Sequence, residues 1–415
     1  MLGLVDGNNF FVSCERVFDP ALENRPVAVL SNNDGCIISR SNECKALGLP
    51  MGTPYFQLQP HLAEYGLILR SSNYELYADM SRRLIAALCR LVPEVDQYSI
   101  DEAFIYPGLP EDADHAALGR RIRQTVLKLV GIPCGIGFAP TRTLAKIANH
   151  LGKKRPDGVF VMSKDCQTIL DGVPVDEVWG IGRRLAPKLH RLGIHNAGQL
   201  AQRDPLAMQK RFSVQLARTI WELRGVPGWV EDAPEEPPQS ITCSRSFGHP
   251  VLTLADLSEA VASYAAQAAA KLRSEHQLAA GMTVYFQLYP EYQPVKLDAK
   301  ITSTSVKFAA PTDDNARMMA AVRSRLESIF LPARRYKKAG VLLWGLEKPA
   351  DRTADLFAPG TGASALFRAV DEINAKYGRN TIFTLGEGIA KPWQMRRDQL
   401  SPAYTTNWRE LLKVK

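Results

Sequence analysis

Residues 98–104 read YSIDEAF, inside the longer run VDQYSIDEAFIY at 95–106. Val, Ile, Tyr and Phe favour a pleated, half-buried strand, and two adjacent carboxylates do not. On a regular strand Asp101 and Glu102 would point to opposite faces. They can converge on one point only where the chain turns, which predicts the tip of a hairpin here. Two anions forced together in an apolar setting repel each other, and a divalent metal is the natural group to hold them.

Outward from this stretch, strands and helices alternate. GLVDGNN at 3–9 reads as a short buried strand ending at Asp6, with Leu2 and Leu4 on one face and Gly7 opening a turn. VAVLSNNDGCIISRS at 27–41 reads as two strands joined through Asn33-Asp34-Gly35, a strong turn signal. SNECKALGLPMGTP then predicts a short helix stopped by Gly48 and Pro50. An amphipathic helix, ELYADMSRRLIAALCRLV, leads into the opening hairpin, and a helix (115–130), a strand (133–139) and a helix (142–154) follow it. This mixture predicts an α+β domain to about residue 172.

From 173 to 225 the pattern becomes wholly helical, and the Pro- and acid-rich run VPGWVEDAPEEPPQS at 226–240 reads as a linker. Beyond it the order is strand, long Ala-rich helix, strand, strand, helix, strand, a β-α-β-β-α-β module. The tail after about residue 350 is rich in Gly, Pro and polar residues, a composition that predicts partial disorder.

A chain of 415 residues is too long for one core and predicts two to four domains. Charged residues at 23% and hydrophobic ones at 46% are the balance of an ordinary globular protein. The absence of an apolar run of about 18 residues excludes a membrane-spanning helix, and MLGLVDGNNFF lacks the features of a signal peptide. The seven scattered cysteines, with no CxxC pair, argue against a disulfide framework or structural zinc and for a reducing cytoplasm. A formal net charge of +8 points toward a polyanionic partner.

Asp6 and the Asp101–Glu102 pair are the two places where carboxylates end apolar strands. If those strands are neighbours, the three carboxylates converge and can hold two Mg²⁺ ions about 3.5–4 Å apart, the arrangement used in phosphoryl transfer. Lys45, Lys146 and Lys153 are the basic candidates for the phosphates, Lys153 within a KKR run at a helix end. No GxxxxGK[ST] is present, which excludes a P-loop. In VWGIGRRLAPKLHRLGIHNAGQLAQ, Gly180 and Gly182 would let backbone amides approach DNA phosphates, with Arg183, Arg184 and Lys188 adjoining. Arg334, Arg335, Lys337 and Lys338 lead into the last strand of the 241–350 module, where sheet-edge basic residues could track a DNA backbone. On these features alone a metal-dependent nuclease or phosphohydrolase and a non-catalytic DNA-binding scaffold remain open beside a polymerase.

LVDGNNFF, SNNDGCIISRSNECKALG, SSNYELYADMS, YSIDEAF, GIGFAPTRTLAKIANH and VWGIGRR together resemble the Y-family translesion DNA polymerases. The match is closest to the UmuC branch, and CSRSFG, SYAAQAAAKLRSEHQ, RYKKAGVLL and SPAYTTNW extend it essentially end to end. The resemblance implies a right-hand architecture: palm at 1–12 and 72–172, fingers at 13–71, helical thumb at 173–225, linker at 226–240, little finger at 241–350 and a partner-binding tail at 351–415. It implies error-prone, Mg²⁺-dependent addition of deoxynucleotides opposite damaged template in an SOS-type response, without proofreading.

The resemblance makes Asp6, Asp101 and Glu102 the metal ligands, assisted by the Gly7 carbonyl. Phe11 matches the steric gate that rejects a ribose 2′-hydroxyl. Phe10, Ile38, Ser39, Asn42, Lys45 and Lys153 are the other implied nucleotide-binding residues, Ile38 and Ser39 roofing the base pair. Asn42 stands where many members carry a phosphate-binding Tyr. TADLF at 353–357, with Asp355, Leu356 and Phe357, resembles the sliding-clamp peptide without its leading Gln. Primer–template DNA, deoxynucleoside triphosphates, a UmuD′-like dimer, a RecA filament and a sliding clamp are the implied partners.

Overall fold

The computed structural model describes residues 1–110, 112–163, 165–228, 237–289, 301–351 and 364–411. The chain divides into two compact units: Met1–Ser31, Gly35–Ala233 and Gln399–Lys415 form one, and Asn32–Asp34 with Pro234–Asp398 form the other.

The first unit is built on a five-stranded sheet. Its strands are β1 (Leu2–Gly7), β5 (Glu94–Gln97), β6 (Glu102–Tyr106), β7 (Cys134–Ala139) and β8 (Val159–Val161), in the order β5-β6-β1-β7-β8. β1 is antiparallel to both β6 and β7. Helices cover both faces, so successive residues of one strand enter different cores. Val5, Ile105 and Ile136 pack with Leu84, Leu88, Ile122 and Val126, from the helices Tyr74–Cys89 and His115–Val130. Leu4 and Phe104 pack instead with Leu144 and Ile147, from the helix Arg142–Gly152.

That last helix lies very close to the sheet, and two residues allow it. A Cβ on Gly137 would fall 2.0 Å from the Asn149 backbone nitrogen, so only glycine admits the helix at this distance. The buried Asn149 side chain donates to the carbonyls of Leu4 (3.2 Å) and Gly135 (2.9 Å), tying the helix to the two strands beneath it. At its N-terminus the Thr143 amide and hydroxyl both donate to the buried Glu222 carboxylate, from the helix Val214–Leu223.

A second sheet of the same unit has the order β3-β2-β4, from β2 (Val27–Leu30), β3 (Ile37–Arg40) and β4 (Ile68–Ser71). The turn expected between β2 and β3 is there, with Asn33 and Asp34 both at positive φ. The helical stretch is a series of short helices, among them Ala186–His190 and Ala197–Ala201, with Gly193 at positive φ between them.

The second unit carries β9 (Ser240–Val251), β10 (Leu278–Leu288), β11 (Ile301–Thr312) and β12 (Tyr336–Glu347) in the order β11-β10-β12-β9. The helix Leu254–Ser274 follows β9 and the helix Asn315–Ile329 follows β11, the order expected of the β-α-β-β-α-β module.

The described part of the tail is held by specific contacts. Residues 364–411 contain the helix Ser364–Tyr377, and Trp393 and Tyr404 are buried. Arg273, itself buried, holds the Asp371 carboxylate of that helix through two hydrogen bonds of 2.6 and 2.9 Å. The tail does not form a region of its own: it divides after Asp398, the earlier part belonging to the second unit and the later part to the first. A few anchors, Asp371, Trp393 and Tyr404, tie this polar segment to an existing core.

Candidate active site

The hairpin predicted at YSIDEAF forms between β5 and β6, with Gln97 opposite Ala103. Its tip is shaped by backbone and by one hydroxyl. The amides of Tyr98 and Ser99 both donate to the Glu102 carbonyl, at 3.1 and 3.0 Å. The Ser99 hydroxyl accepts from the amides of Asp101 and Glu102 and donates to the Asp101 carboxylate at 2.6 Å. Beside the hairpin, β1 places Asp6 directly opposite Glu102, and the Gly7 amide donates to the Asp101 carbonyl at 2.9 Å. Strand pairing thus brings Asp6 beside a carboxylate pair that lies far from it in the chain.

Each of two carboxylates is met by a lysine, Lys146 within the helix that Gly137 admits and Lys153 just past its C-terminus. Lys153 reaches Asp6 at 2.6 Å, its stem lying across Gly135. Lys146 donates to both Glu102 oxygens at 3.0 Å, with its ammonium 4.5 Å from the Tyr98 ring centre and 5.2 Å from that of Trp179. Burial pushes the Asp6 carboxyl above its ordinary range. Lys153 opposes the rise, and Glu102 and Asp101 add to it by repulsion.

Among the described residues no group of three or more His, Cys, Asp or Glu side chains is arranged so that it could hold a metal ion. The donor chemistry nevertheless fits Mg²⁺: the cluster offers hard, partly buried carboxylate oxygens from β1 and from the tip of the β5–β6 hairpin. Lys153 and Lys146 pair with Asp6 and Glu102, the carboxylates that would hold such an ion.

Around the carboxylates stands a second group of cations. Lys45 donates to the Asn42 side-chain oxygen at 3.3 Å, and Asn9 donates to the same oxygen at 3.1 Å. The Lys45 ammonium is pushed below its ordinary range, by burial first and then by Arg40 and Lys153, with Asp6 opposing. Three cations crowded beside an acidic cluster form a local positive patch suited to an anionic ligand.

Phe11 stands in the first turn of the helix Phe10–Phe18, stacked on Tyr77 with ring centres 4.4 Å apart and planes 13° apart. Tyr74 meets it edge-on at 6.2 Å. Phe10, expected among the nucleotide-binding residues, is buried in the core against Gly7, so its ring is packing and only Phe11 is left partly open. Ile38 and Ser39 lie on β3, Ile38 partly buried and Ser39 buried.

Gly180 has positive φ, and Gly182, Arg183, Arg184 and Lys188 are exposed around the start of the helix Ala186–His190. The second basic group needs a correction. Arg334, Arg335, Lys337 and Lys338 were expected at a sheet edge, but β12 is hydrogen-bonded on both sides, to β10 and β9. The cluster sits at the beginning of an interior strand, where Arg335 and Lys337 lie over the Tyr289 ring at 5.3 and 6.0 Å. Asp355, Leu356 and Phe357 lie outside the described residues.

Sequence reasoning passed over Arg40, Tyr77, Tyr98 and Trp179, and weighed Lys146 without placing it in the site. One signal was available. Lys146 and Lys153 are seven residues apart, two turns on one helix face, so whatever that face overlies receives both.

Comparison with known proteins follows the same lines. The chain matches the impB/mucB/samB family over residues 5–150, the IMS family HHH motif over 163–194 and the impB/mucB/samB family C-terminal domain over 238–356. Residues 364–414 match a domain of unknown function, DUF4113. The chain is 43% identical to Protein UmuC of Salmonella typhimurium over 428 aligned residues, covering all of both chains. It is 40% identical to Protein SamB of the same organism, again over all of both, and 39% identical to Protein MucB of Escherichia coli over 99% of each. Among solved structures, a "Y-family DNA polymerase chimera Dbh-Dpo4(243-245)-Dbh" is similar with a TM-score of 0.64 at 22% identity, over 84% of this chain and 99% of that one.

Proposed function

The chain belongs to the impB/mucB/samB family, within the UmuC branch of the Y-family DNA polymerases, and from that premise we propose how its own residues serve the reaction. It is an error-prone translesion DNA polymerase of SOS mutagenesis, a DNA-directed nucleotidyltransferase.

We assign Asp6, Asp101 and Glu102 as the carboxylates that would hold two Mg²⁺ ions, with the Gly7 carbonyl beside them. Ions bound there would lower the pKa of the primer 3′-hydroxyl and neutralise the triphosphate. The remaining work falls to the protein. Ser99 orients the Asp101 carboxylate through its 2.6 Å hydrogen bond. Lys45, Arg40 and Lys153 would receive the triphosphate, Lys153 reaching it from beside Asp6. Phe11, braced by Tyr77, stands where a ribose 2′-hydroxyl would collide. Ile38 and Ser39 roof the base pair, and Asn42 holds Lys45 in place of the tyrosine many relatives carry. Gly180, Gly182, Arg183, Arg184 and Lys188 grip DNA phosphates through amides and charge, and Arg335 and Lys337 with their neighbours do so from the second unit.

The resemblance to the UmuC branch supports a UmuD′-like dimer, a RecA filament and a sliding clamp as partners. All seven cysteines are unpaired, which fits a reducing cytoplasm, and no helix among the described residues is long and apolar enough to cross a membrane.

The observation that carries this assignment is the register that sets Asp6 opposite Glu102 at the hairpin tip. Primer extension by Asp101→Ala tests it: incorporation falls by several orders of magnitude while primer–template affinity is kept. Normal extension by that variant would refute the ligand assignment.

A further inference from the structure

The helix Phe10–Phe18 carries three residues on one face, Phe11, Glu15 and Phe18, spaced by four and three positions. Phe11 faces Tyr77. The other two face the C-terminal segment, which folds back onto the first unit. Glu15 is fully buried, and its carboxylate oxygen Oε1 accepts two hydrogen bonds, from the Tyr77 hydroxyl at 2.7 Å and from the Ser401 hydroxyl at 3.1 Å. Phe18 stacks on Tyr404 with ring centres 4.9 Å apart and planes 8° apart.

The segment is anchored on its other side as well. Ser71 donates its amide to the Gln399 carbonyl at 2.9 Å, and its hydroxyl accepts from the Gln399 amide at 3.0 Å. Asn73 donates to the Ser401 hydroxyl at 3.0 Å and to the Pro402 carbonyl. Ser401, Glu15 and Tyr77 are all buried, so this is an internal network and not a surface contact. It runs without a break from residue 401 to the ring on which Phe11 lies.

We propose that residues 399–404 are a built-in part of the nucleotide-selecting machinery: Ser401 is a positioning residue that, through Glu15 and Tyr77, fixes the Phe11 ring against the incoming sugar. The inference deepens the reading of Phe11 as a sugar gate and rests on it. The physical reason is that the Phe11 stack is only as rigid as Tyr77. The Tyr77 hydroxyl is held by a carboxylate whose own position depends on a second donor, and that donor comes from the far end of the chain. A buried carboxylate deprived of one donor shifts to recover solvation or a new partner, and Tyr77 shifts with it.

The test is single-nucleotide insertion on a primer–template by the full-length chain, comparing kcat/KM for a deoxynucleotide with that for the matching ribonucleotide. Ser401→Val and Ser401→Thr have nearly the same shape and differ by the hydroxyl, so the pair separates packing from the hydrogen bond. We expect Ser401→Val to lose sugar preference by roughly three- to tenfold, the effect of one lost hydrogen bond, through a rise in ribonucleotide insertion. Ser401→Thr keeps the wild-type ratio. Trp408→Ala, an exposed change in the same segment, also keeps it. In a Phe11→Ala background Ser401→Val adds nothing further. If Phe11→Ala relaxes sugar preference and Ser401→Val leaves it at the wild-type value, the inference is overturned and the gate stands. If Phe11→Ala itself changes nothing, the gate and this inference fall together.

Discussion

Glu15 shows how much one buried side chain can be asked to do. Burial raises its carboxyl above the ordinary glutamate range, the Tyr77 and Ser401 hydroxyls and the Arg70 charge pull it back, and Asp19 adds a small rise. The net direction is upward, so the folded state binds a proton more readily than the unfolded chain does. A group of this kind contributes stability that is fully present below its unfolded pKa and is lost as pH rises through the folded value. Glu15→Gln removes that dependence. The thermal midpoint of Glu15→Gln should therefore gain on wild type as pH is raised from about 4 toward 8. A difference that stays flat over this range would mean that Glu15 does not titrate in the fold.

At the scale of elements, the site depends on how closely the helix Arg142–Gly152 approaches β7, and Gly137 sets that distance. With a methyl group there, 2.0 Å from the Asn149 nitrogen, the helix must move outward. It carries Lys146 and Lys153 with it, and the two hydrogen bonds of Asn149 stretch. Gly137→Ala should lower unfolding free energy by about 1–3 kcal/mol or more, the usual cost of overpacking, read as a reduced urea midpoint. Primer extension should drop more than the lost folded fraction explains. An unchanged midpoint would show that the contact relaxes at no cost. The same element marks where sequence reading runs out. The hairpin at YSIDEAF was legible because two carboxylates interrupt a strand pattern, and the turn at Asn33-Asp34-Gly35 because its residue types are diagnostic. The β-α-β-β-α-β order was legible from periodicity alone. The pairing of Lys153 with Asp6 and Lys146 with Glu102 was not, since it follows from a helix-to-sheet distance that only the folded packing around Gly137 determines. The interior place of β12 escaped for a similar reason: strand order within a sheet is a long-range property, and Arg334 to Lys338 look the same at an edge or in the middle.

At the scale of the whole molecule, the two ends of the chain meet in one unit, β1 supplying Asp6 and residues 399–404 buttressing the helix that follows it. A tail rich in polar residues is tied into the core of the first unit through Ser401 and Tyr404. Everything functional still turns on whether the three carboxylates hold ions together. The most direct measurement is the number of divalent ions bound per chain in the presence of primer–template and a non-hydrolysable deoxynucleoside triphosphate, using Mn²⁺ as the spectroscopic probe. The account predicts two ions for the wild type and at most one for Asp6→Asn or Glu102→Gln, with the nucleotide still bound. Two ions in both variants would contradict it.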